Sequence, residues 1–360
     1  MEKFSCKTMI ISGAGAISAL EELGAKRLLL VSDPFFVKNG MAQRVMDASG
    51  AKETAVFDKV APDPTVALAA EGTAVVKEFG PDVIVALGGG SAMDCAKAMA
   101  YFGKGDYKLV AIPTTSGSGS EVTDFAILTH DRVKHPLVDA RMRPDVAILD
   151  SDLLQNLPAG LIAETGFDVL THAAESYVAR GAGSFTDLYA REAFSSAFAA
   201  LPASFAGNTA VRMKVHLAST MAGMAFTQAG LGLCHAISHS LGGMFHVPHG
   251  RLNAILLPSV ISCNAHVAGK KYAELARAAG MGGSADTIAI RNLKNSLIRL
   301  RRELNLPETL VQAGVDPRSV WRNVGEIVIA ALKDPCCQSN PMPVEDVLIR
   351  RILEEVTGRV

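Results

Sequence analysis

The sequence predicts an α/β domain with a parallel sheet over residues 1–155, followed by an all-helical domain over residues 156–360. A chain of 360 residues exceeds what one hydrophobic core usually organises. In the first half, short β-type runs alternate with helical stretches, which is typical of a doubly wound parallel sheet. After Pro158 the chain is rich in alanine, follows helical periodicity and contains hardly any β-type run.

The first domain contains five predicted strands in chain order. They are TMII, RLLLVSD, VIVALGGG, KLVAIPTT and DVAILD. Segments between them, such as GMAQRVMDASG and VALAAEGTAVVKEFG, have the composition and periodicity of helices. Because strands spaced by helices form βαβ units, we expect the strands to run parallel.

The second domain follows without a low-complexity linker or a repeat of fixed period. Its predicted helices include LIAETGFDVLTHAAESYVAR, SFTDLYAREAFSSAFAAL and RMKVHLASTMAGMAF. We therefore place the domain boundary near residues 151–159.

Composition narrows the classes of function. The formal net charge is −1 and no block of Lys or Arg occurs, which argues against nucleic-acid partners and anionic lipid surfaces. The N-terminal apolar run is short for a secretory signal, and no stretch of about 18 apolar residues predicts a membrane span. The six cysteines show no C-x-x-C spacing, as expected in a reducing compartment. We therefore expect a cytoplasmic protein.

Two glycine-rich turns each follow a predicted strand and open a helix, so either is a candidate phosphate site. The early turn is TMIISGAGAIS, and the later one, in VIVALGGGSAMDCAKAMA, has three successive glycines, Gly88, Gly89 and Gly90. Glycines let backbone amides approach a pyrophosphate, and a helix N terminus adds partial positive charge. The later turn is the stronger candidate on these grounds, although both patterns also occur in tight turns without a ligand.

A third polar turn, IPTTSGSGSEVT, offers hydroxyl donors unless it is an ordinary polar loop; they are Thr114, Thr115, Ser116, Ser118 and Ser120. Asp33 ends the second predicted strand. A carboxylate there accepts hydrogen bonds from an adenosine ribose and repels a 2′-phosphate, which favours NAD over NADP. The alternative is that Asp33 only caps the turn before Pro34.

Four of the nine histidines lie close together in GLGLCHAISHSLGGMFHVPHG. His235 and His239 are four residues apart and share a helix face. His249 lies fourteen residues beyond His235, roughly 21 Å along a continuous helix, so it joins them only if the chain turns. Three residues before His249 are candidates for breaking the helix: Gly242, Gly243 and Pro248.

A carboxylate and a further imidazole occur upstream in DVLTHAAE, where Asp168 and His172 have the same i, i+4 spacing. One carboxylate oxygen with three imidazole nitrogens suits divalent iron or zinc and leaves a net charge of +1 to stabilise an alkoxide. Spacing alone does not exclude the alternative, in which these are ordinary helix-stabilising or hydrogen-bonded pairs.

Four motifs decide what spacing leaves open. In order and over nearly the whole chain, GGGSAMDCAKAMA, IPTTSGSGSEVT, TGFDVLTHAAESY and GLGLCHAISHSLGGMFHVPHGRLNAILLP resemble the iron-containing (group III) alcohol dehydrogenases. The resemblance implies the fold that this family shares with dehydroquinate synthase: an α/β NAD-binding domain followed by a helical metal-binding domain. The resemblance also argues against the early glycine turn as the phosphate site, because the family binds pyrophosphate at the later turn.

The family pattern assigns roles residue by residue. It implies metal ligands at Asp168, His172, His235 and His249, pyrophosphate binding at Gly88, Gly89, Gly90 and Ser91, and Asp94 at the following helix start. It further implies nucleotide contacts at Thr114, Thr115 and Ser118, an approach of Lys134 to the ribose, and NAD preference from Asp33. His239 lies outside the ligand pattern, and we expect it either to act catalytically, as a proton relay or nicotinamide contact, or to support a ligand.

Within the family, VSDPFFVKNGM, APDPT, TTSGSGSEVT and FHVPHGRLNAILLP are most similar to short-form propanol dehydrogenases associated with bacterial microcompartments. The resemblance implies NAD(H)-dependent interconversion of small alcohols and aldehydes, with Fe²⁺ or Zn²⁺ as the metal. Alternatives are a 1,3-propanediol or glycerol-type dehydrogenase and an NAD- and metal-dependent lyase of the dehydroquinate synthase type. The expected partners are a second copy of the chain, in a homodimer or larger oligomer, and the shell or co-encapsulated enzymes of a microcompartment.

Overall fold

A computed structural model describes residues 2–131 and 133–358 and arranges them in two compact units. The first unit spans Ser5–Leu157. The second begins at Pro158 and also includes the N-terminal segment that ends at Phe4. In that segment, the Phe4 ring stacks on the rings of Phe185 and Tyr189, each at 5.5 Å between centroids.

The described residues of the first unit form eight strands and four α-helices. The strands are β1 (Met9–Gly13), β2 (Arg27–Ser32), β3 (Glu53–Phe57), β4 (Val83–Gly88), β5 (Lys108–Pro113), β6 (Phe125–His130), β7 (Val133–Val138) and β8 (Val146–Asp150). The helices are α1 (Pro34–Lys38), α2 (Met41–Ser49), α3 (Val66–Phe79) and α4 (Gly90–Gly103). Short 3₁₀ helices occupy Ala16–Leu23, Ser120–Val122, Ala140–Met142 and Ser151–Leu154.

Six strands form one parallel sheet in the order β1-β8-β5-β4-β2-β3, and β6 pairs with β7 as a separate antiparallel hairpin. The sheet is apolar on both faces. Leu28 and Leu30 of β2 pack into one core, whereas Leu29 and Val31 pack into another core on the opposite face. Burial on both faces explains why central parallel strands are continuous apolar runs.

The described residues of the second unit form α-helices joined by loops, with a 3₁₀ turn at Thr209–Val211 and no strand. Its helices are α5 (Ala159–Val178), α6 (Ser184–Phe205), α7 (Arg212–Ala229), α8 (Leu233–Phe245), α9 (His249–Ala278), α10 (Asp286–Glu303), α11 (Pro317–Arg322), α12 (Val324–Lys333), α13 (Pro335–Ser339) and α14 (Asp346–Thr357). Helix α5 packs against α6, α7 and α9, and α8 packs against α9, α12 and α13.

Helix α9 is long and apolar enough to cross a membrane by length and composition alone. However, 67% of its most apolar window is buried inside the protein, as in a core helix. The predicted fold class, a parallel α/β part followed by a helical part, is confirmed. The sequence analysis did not identify β3 or the β6–β7 hairpin.

Candidate metal centre and nucleotide turn

The early glycine turn is already filled by a carboxylate of the protein. Asp150, at the end of β8, accepts hydrogen bonds from the backbone amides of Gly15 (3.1 Å) and Ile17 (3.0 Å). Asp150 is completely buried. Since these two amides already bind an internal anion, they are not free to bind a phosphate.

The later glycine turn lies between β4 and α4. The N-cap of α4 is Gly89, which has no side chain to cap the helix start. A Cβ atom placed on Gly89 would lie 3.2 Å from Thr115 Oγ1, and one on Gly90 would lie 3.2 Å from Ser118 Cβ. The fold therefore brings these glycines against the hydroxyl-bearing residues of the third polar turn, where a Cβ atom would be in tight contact.

Backbone and side-chain contacts join the two turns. The amide of Thr114 donates to Gly88 O at 2.9 Å, and the hydroxyl Oγ1 of Thr114 is buried without a hydrogen-bond partner among the described residues. An unsatisfied buried hydroxyl beside an uncapped helix start fits a site for a phosphate-bearing cofactor. Ser91 lies in the first turn of α4, next to Gly90.

Asp94 and Lys134 already have partners within the protein. Asp94 Oδ1 accepts from the Ser120 hydroxyl (2.9 Å) and Oδ2 from the Ile127 amide (3.1 Å), and burial raises the pKa of Asp94. Lys134, on β7, pairs with Asp63 at 2.6 Å. Asp94 therefore anchors α4 to the polar turn, while a ribose contact by Lys134 stays a prediction.

Asp33 caps α1 and also reaches the glycine turn. Its Oδ1 accepts from the Phe35 amide at 2.8 Å. A Cβ atom on Gly88 would lie 3.8 Å from its other oxygen, Oδ2. The capping role and the cofactor role, posed as alternatives by the sequence, are thus compatible because they use different oxygens.

The second unit brings one ligand atom each of Asp168, His235 and His249 within 4.8 Å of one another, and His172 Nε2 lies 3.9 Å from Asp168 Oδ1. Asp168 and His172 lie on α5, His235 lies near the start of α8, and His249 is the first residue of α9. The break between α8 and α9 is His246–Pro248, with His246 in the left-handed conformation (φ 55°). The expectation that the preceding glycines supply part of the break is wrong, because Gly242 and Gly243 lie inside α8.

The ligand atoms converge on Asp168 Oδ1. This oxygen lies 3.6 Å from the Nε2 atoms of both His235 and His249, and 3.9 Å from Nε2 of His172. Four ligands about 2.1 Å from a tetrahedral ion are separated by about 3.4 Å. The donor set and its spacing therefore fit a divalent iron or zinc ion after small shifts.

An amide marks the point where these ligand atoms converge. Asn253 Nδ2 donates to Asp168 Oδ1 at 2.7 Å and lies 3.3 Å from His235 Nε2 and 3.1 Å from His249 Nε2. The other end of the amide, Oδ1, accepts from the Ser238 hydroxyl. Asn253 therefore holds a partial positive charge against three of the expected metal ligands.

A buried carboxylate orients His235. Glu175 accepts from His235 Nδ1 at 2.6 Å and from the amides of Gly232 (3.1 Å) and Cys234 (2.6 Å) at the start of α8. This contact fixes the imidazole so that Nε2 faces Asp168, the usual arrangement of a metal-binding histidine and its supporting carboxylate.

The electrostatics of the cluster favour a cation. Burial alone would lower the pKa of His235, but its hydrogen bonds to Asp168 and Glu175 raise that pKa to about 9. Burial would raise the pKa of Asp168, yet the surrounding histidines hold it below its usual range. Burial lowers the pKa of His249 well below its ordinary value, which keeps this imidazole neutral and able to bind a metal.

His239 lies beside the cluster and outside the four expected ligands. Its ring stacks on that of His249, with 5.2 Å between centroids, and its Nδ1 lies 2.8 Å from Asp334 Oδ2. His246 is exposed and forms the C-cap of α8, so it does not support a ligand by packing against it.

The sequence analysis missed three polar residues of this region. Glu175 is seven residues after Asp168 on the same face of α5, and Asn253 is four residues after His249 on α9. Both spacings were available in the sequence. Asp334 is 95 residues from His239, so only the packing of α13 on α8 reveals that contact.

Comparisons with known proteins give matches over nearly the whole chain. Residues 7–151 match the family profile "Iron-containing alcohol dehydrogenase", and residues 162–357 match "Fe-containing alcohol dehydrogenase family, C-terminal". The chain is 40% identical to the 1-propanol dehydrogenase PduQ of Citrobacter freundii, over 99% of this chain and 100% of that protein.

Solved structures give the same result. A crystal structure of 1,3-propanediol oxidoreductase has a TM-score of 0.92 at 33% identity, covering 98% of this chain and 99% of the other. A sulfoacetaldehyde reductase from Bifidobacterium kashiwanohense, solved in complex with NAD⁺, has a TM-score of 0.90 at 27% identity, covering 99% of both chains.

Proposed function

We propose, from the premise that the chain belongs to the iron-containing alcohol dehydrogenase family, that it interconverts small primary alcohols and aldehydes with NAD(H). That it is an oxidoreductase acting on alcohols and aldehydes follows from its membership and its full-length relatives. The proposal concerns the substrates, 1-propanol and propionaldehyde or ethanol and acetaldehyde, the cofactor NAD(H), and the residues. The observation that carries it is the convergence of Asp168, His172, His235 and His249.

These four side chains would hold the metal. A bound divalent iron or zinc ion supplies Lewis acidity toward the substrate oxygen, and NAD(H) supplies or accepts the hydride. Glu175 keeps His235 oriented through Nδ1, and Asn253 holds Asp168 Oδ1 toward the two imidazoles. With one carboxylate and three neutral imidazoles, the ligand set leaves part of the cation's charge to favour an oxyanion.

We infer that His239 carries the proton that accompanies hydride transfer, and its contact with Asp334 supports this role. Asp334 accepts from Nδ1, which fixes the ring and directs Nε2 as the atom that exchanges a proton. The position of His239 against the His249 ring puts it next to the ligand set without making it a ligand.

Three features of the first unit support binding of the NAD pyrophosphate. They are the start of α4, the glycines Gly88–Gly90, and the hydroxyls of Thr114, Thr115 and Ser118. Asp33 Oδ2 supports preference for NAD over NADP through repulsion of a 2′-phosphate.

The test is NADH oxidation with acetaldehyde and propionaldehyde by protein purified anaerobically, stripped with a chelator and reconstituted with iron or zinc. We expect turnover to vanish on stripping and to return with one of the metals. His249→Ala should lose metal and turnover together, whereas His266→Ala, an exposed histidine on the same helix, should keep both.

Two results would contradict the proposal. A His249→Ala protein with full metal and activity would remove the ligand assignment. Turnover of 1,3-propanediol or glycerol in place of the monoalcohols would move the substrate to polyols, the alternative favoured by the likeness to 1,3-propanediol oxidoreductase.

The family resemblance also supports a homodimer or larger homo-oligomer and a cytoplasmic location within a bacterial microcompartment. Both are proposals about the intact protein, and sedimentation of the purified holoenzyme measures the first.

A further inference from the structure

A second set of potential metal ligands lies beside the first. His239, Asp334 and Cys336 each offer one ligand atom, and these atoms lie within 4.8 Å of one another. We propose that they bind a second, thiophilic divalent cation such as Zn²⁺, and that this cation inhibits the enzyme. The inhibitory part rests on the proposed function, but binding of the cation does not.

The backbone holds two of the three ligands in fixed relation. Asp334 caps α13 by accepting the Cys336 amide on Oδ1 at 2.8 Å. The other oxygen, Oδ2, is directed to His239 Nδ1 at 2.8 Å. Because α13 packs on α8, which carries His239, the three groups are positioned by rigid elements before any ion arrives.

The donor chemistry differs from that of the first site. The first set contains only oxygen and nitrogen donors, whereas the second adds the Cys336 sulfur. A sulfur, nitrogen and oxygen set favours Zn²⁺, Co²⁺ or Cd²⁺ over hard ions such as Mg²⁺.

Charge and exposure are suitable for a reversible site. The His239 side chain is 25% exposed and that of Asp334 is 15% exposed, so an ion reaches them from solvent but is partly desolvated once bound. On binding, the Cys336 thiol loses its proton to water and the cation takes its place. The Asp334 carboxylate and the Cys336 thiolate then neutralise the two positive charges.

Occupation of this site would disable His239. The cation would bind His239 Nδ1 and Asp334 Oδ2 in place of the hydrogen bond between them, so the imidazole would be held as a metal ligand and would no longer serve the proton transfer proposed above. Since the His239 ring stacks on His249, the second cation would also raise the positive potential next to the first site. We therefore expect excess zinc to inhibit turnover.

Cobalt is the direct probe of binding. Iron-loaded holoenzyme is titrated anaerobically with Co²⁺ while absorption is recorded. A thiolate-to-cobalt charge-transfer band reports the second site alone, because Asp168 and the three histidines include no sulfur. Cys336→Ser should abolish this band, and Cys337→Ser, which changes the adjacent cysteine outside the set, should retain it.

A second variant covers the case in which Cys336→Ser fails to fold. Asp334→Asn keeps a cap on α13 but removes the anionic ligand, and we expect cobalt to bind about ten- to a hundredfold more weakly. In assays with propionaldehyde, inhibition by excess Zn²⁺ should be present in Cys337→Ser and lost in Cys336→Ser.

The results of these experiments distinguish the second site, its inhibitory role and the proposed function. Absence of the band in the parent holoenzyme, or its persistence in Cys336→Ser, overturns the second site. A band that depends on Cys336 without any zinc inhibition supports the site and refutes its inhibitory role. A band that depends on Cys336 in a protein without aldehyde turnover supports the site while the proposed function fails.

Discussion

At the scale of single residues, the two carboxylate oxygens of Asp33 have different surroundings. Oδ1 caps α1, and Oδ2 faces Gly88. Asp33→Asn preserves a good N-cap and removes the charge, so we expect weaker discrimination against NADP⁺ with little change in thermal stability. Asp33→Ala should lose the same discrimination and also about 1 kcal/mol of stability through the lost cap.

The measurement is the ratio of kcat/KM for NAD⁺ to that for NADP⁺, together with Tm, in the parent and both variants. An unchanged ratio in both variants, with a lower Tm in Asp33→Ala only, would leave Asp33 with the capping role alone.

The sequence pointed to the residues proposed as ligands more readily than to the residues that contact them. The i, i+4 pairs Asp168/His172 and His235/His239 are visible in the sequence because a helix puts such pairs on one face. Glu175 also lies on that face of α5, but a carboxylate on a helix is so common that spacing alone gives no reason to select it. Its role follows from contact with the start of α8, which is a tertiary feature.

At the scale of elements, Gly250 decides how closely α9 approaches α5. A Cβ atom at this position would lie 2.1 Å from the backbone oxygen of Glu164, far inside contact distance. We expect Gly250→Ala to displace the start of α9, move His249, lower stability by about 1–3 kcal/mol and reduce metal retention.

Gly243→Ala is the matched control, because Gly243 lies within α8 and a Cβ atom placed there would meet no described atom within 4 Å. That variant should keep its metal and be as stable as the parent or more stable, since alanine favours a helix. Metal content by elemental analysis and Tm report both effects. Equal metal retention in the two variants would contradict the importance of this close approach.

Elements were predicted where their pattern is local. Central strands such as β2 and β4 are apolar on both faces, so each appears in the sequence as a continuous run of apolar residues. Strand β3 escaped notice because it lies at the sheet edge, pairs with β2 alone, and has only one buried residue, Phe57. The position of the break before α9 was misplaced because Gly242 and Gly243 are accommodated inside the helix.

At the scale of the whole molecule, a buried lysine makes the stability of the first unit depend on pH. Lys97, on α4, is 1% exposed and donates to Ser120 Oγ, Thr123 Oγ1 and Phe125 O at 2.8–2.9 Å. Burial lowers its pKa from 10.5 to about 8, despite the opposing influence of Asp94.

The sign of the pH effect follows from proton binding. Between pH 8 and about 10.5 the unfolded chain holds a proton on Lys97 that the folded protein has released, so the free energy of unfolding rises with pH in this window. The contribution is on the order of 3 kcal/mol at most.

We expect Lys97→Met to lose this rise, while Lys77→Met, an exposed lysine on α3, retains it. Urea unfolding followed by circular dichroism at several pH values between 7.5 and 10.5 provides the comparison. A Lys97→Met protein with the same pH dependence as the parent would assign the effect to other groups.

The two-part architecture was predictable at this scale because its signal is distributed over the whole chain. Strand and helix runs alternate until about residue 150 and give way to helices thereafter. The β6–β7 hairpin is an exception, because the pattern of the first half favoured parallel strands and the hairpin is separate from the main sheet.

Under the ligand assignment proposed above, Glu175 has a consequence for how the protein would lose its metal. The same carboxylate holds His235 and satisfies the first amides of α8, so the ligand and the helix start share one anchor. Fraying of α8 and release of the ion are therefore linked equilibria, and each must promote the other to the same extent. A protein stored without metal would open first at this turn, and metal supply would act as a conformational stabiliser as well as a source of reactivity.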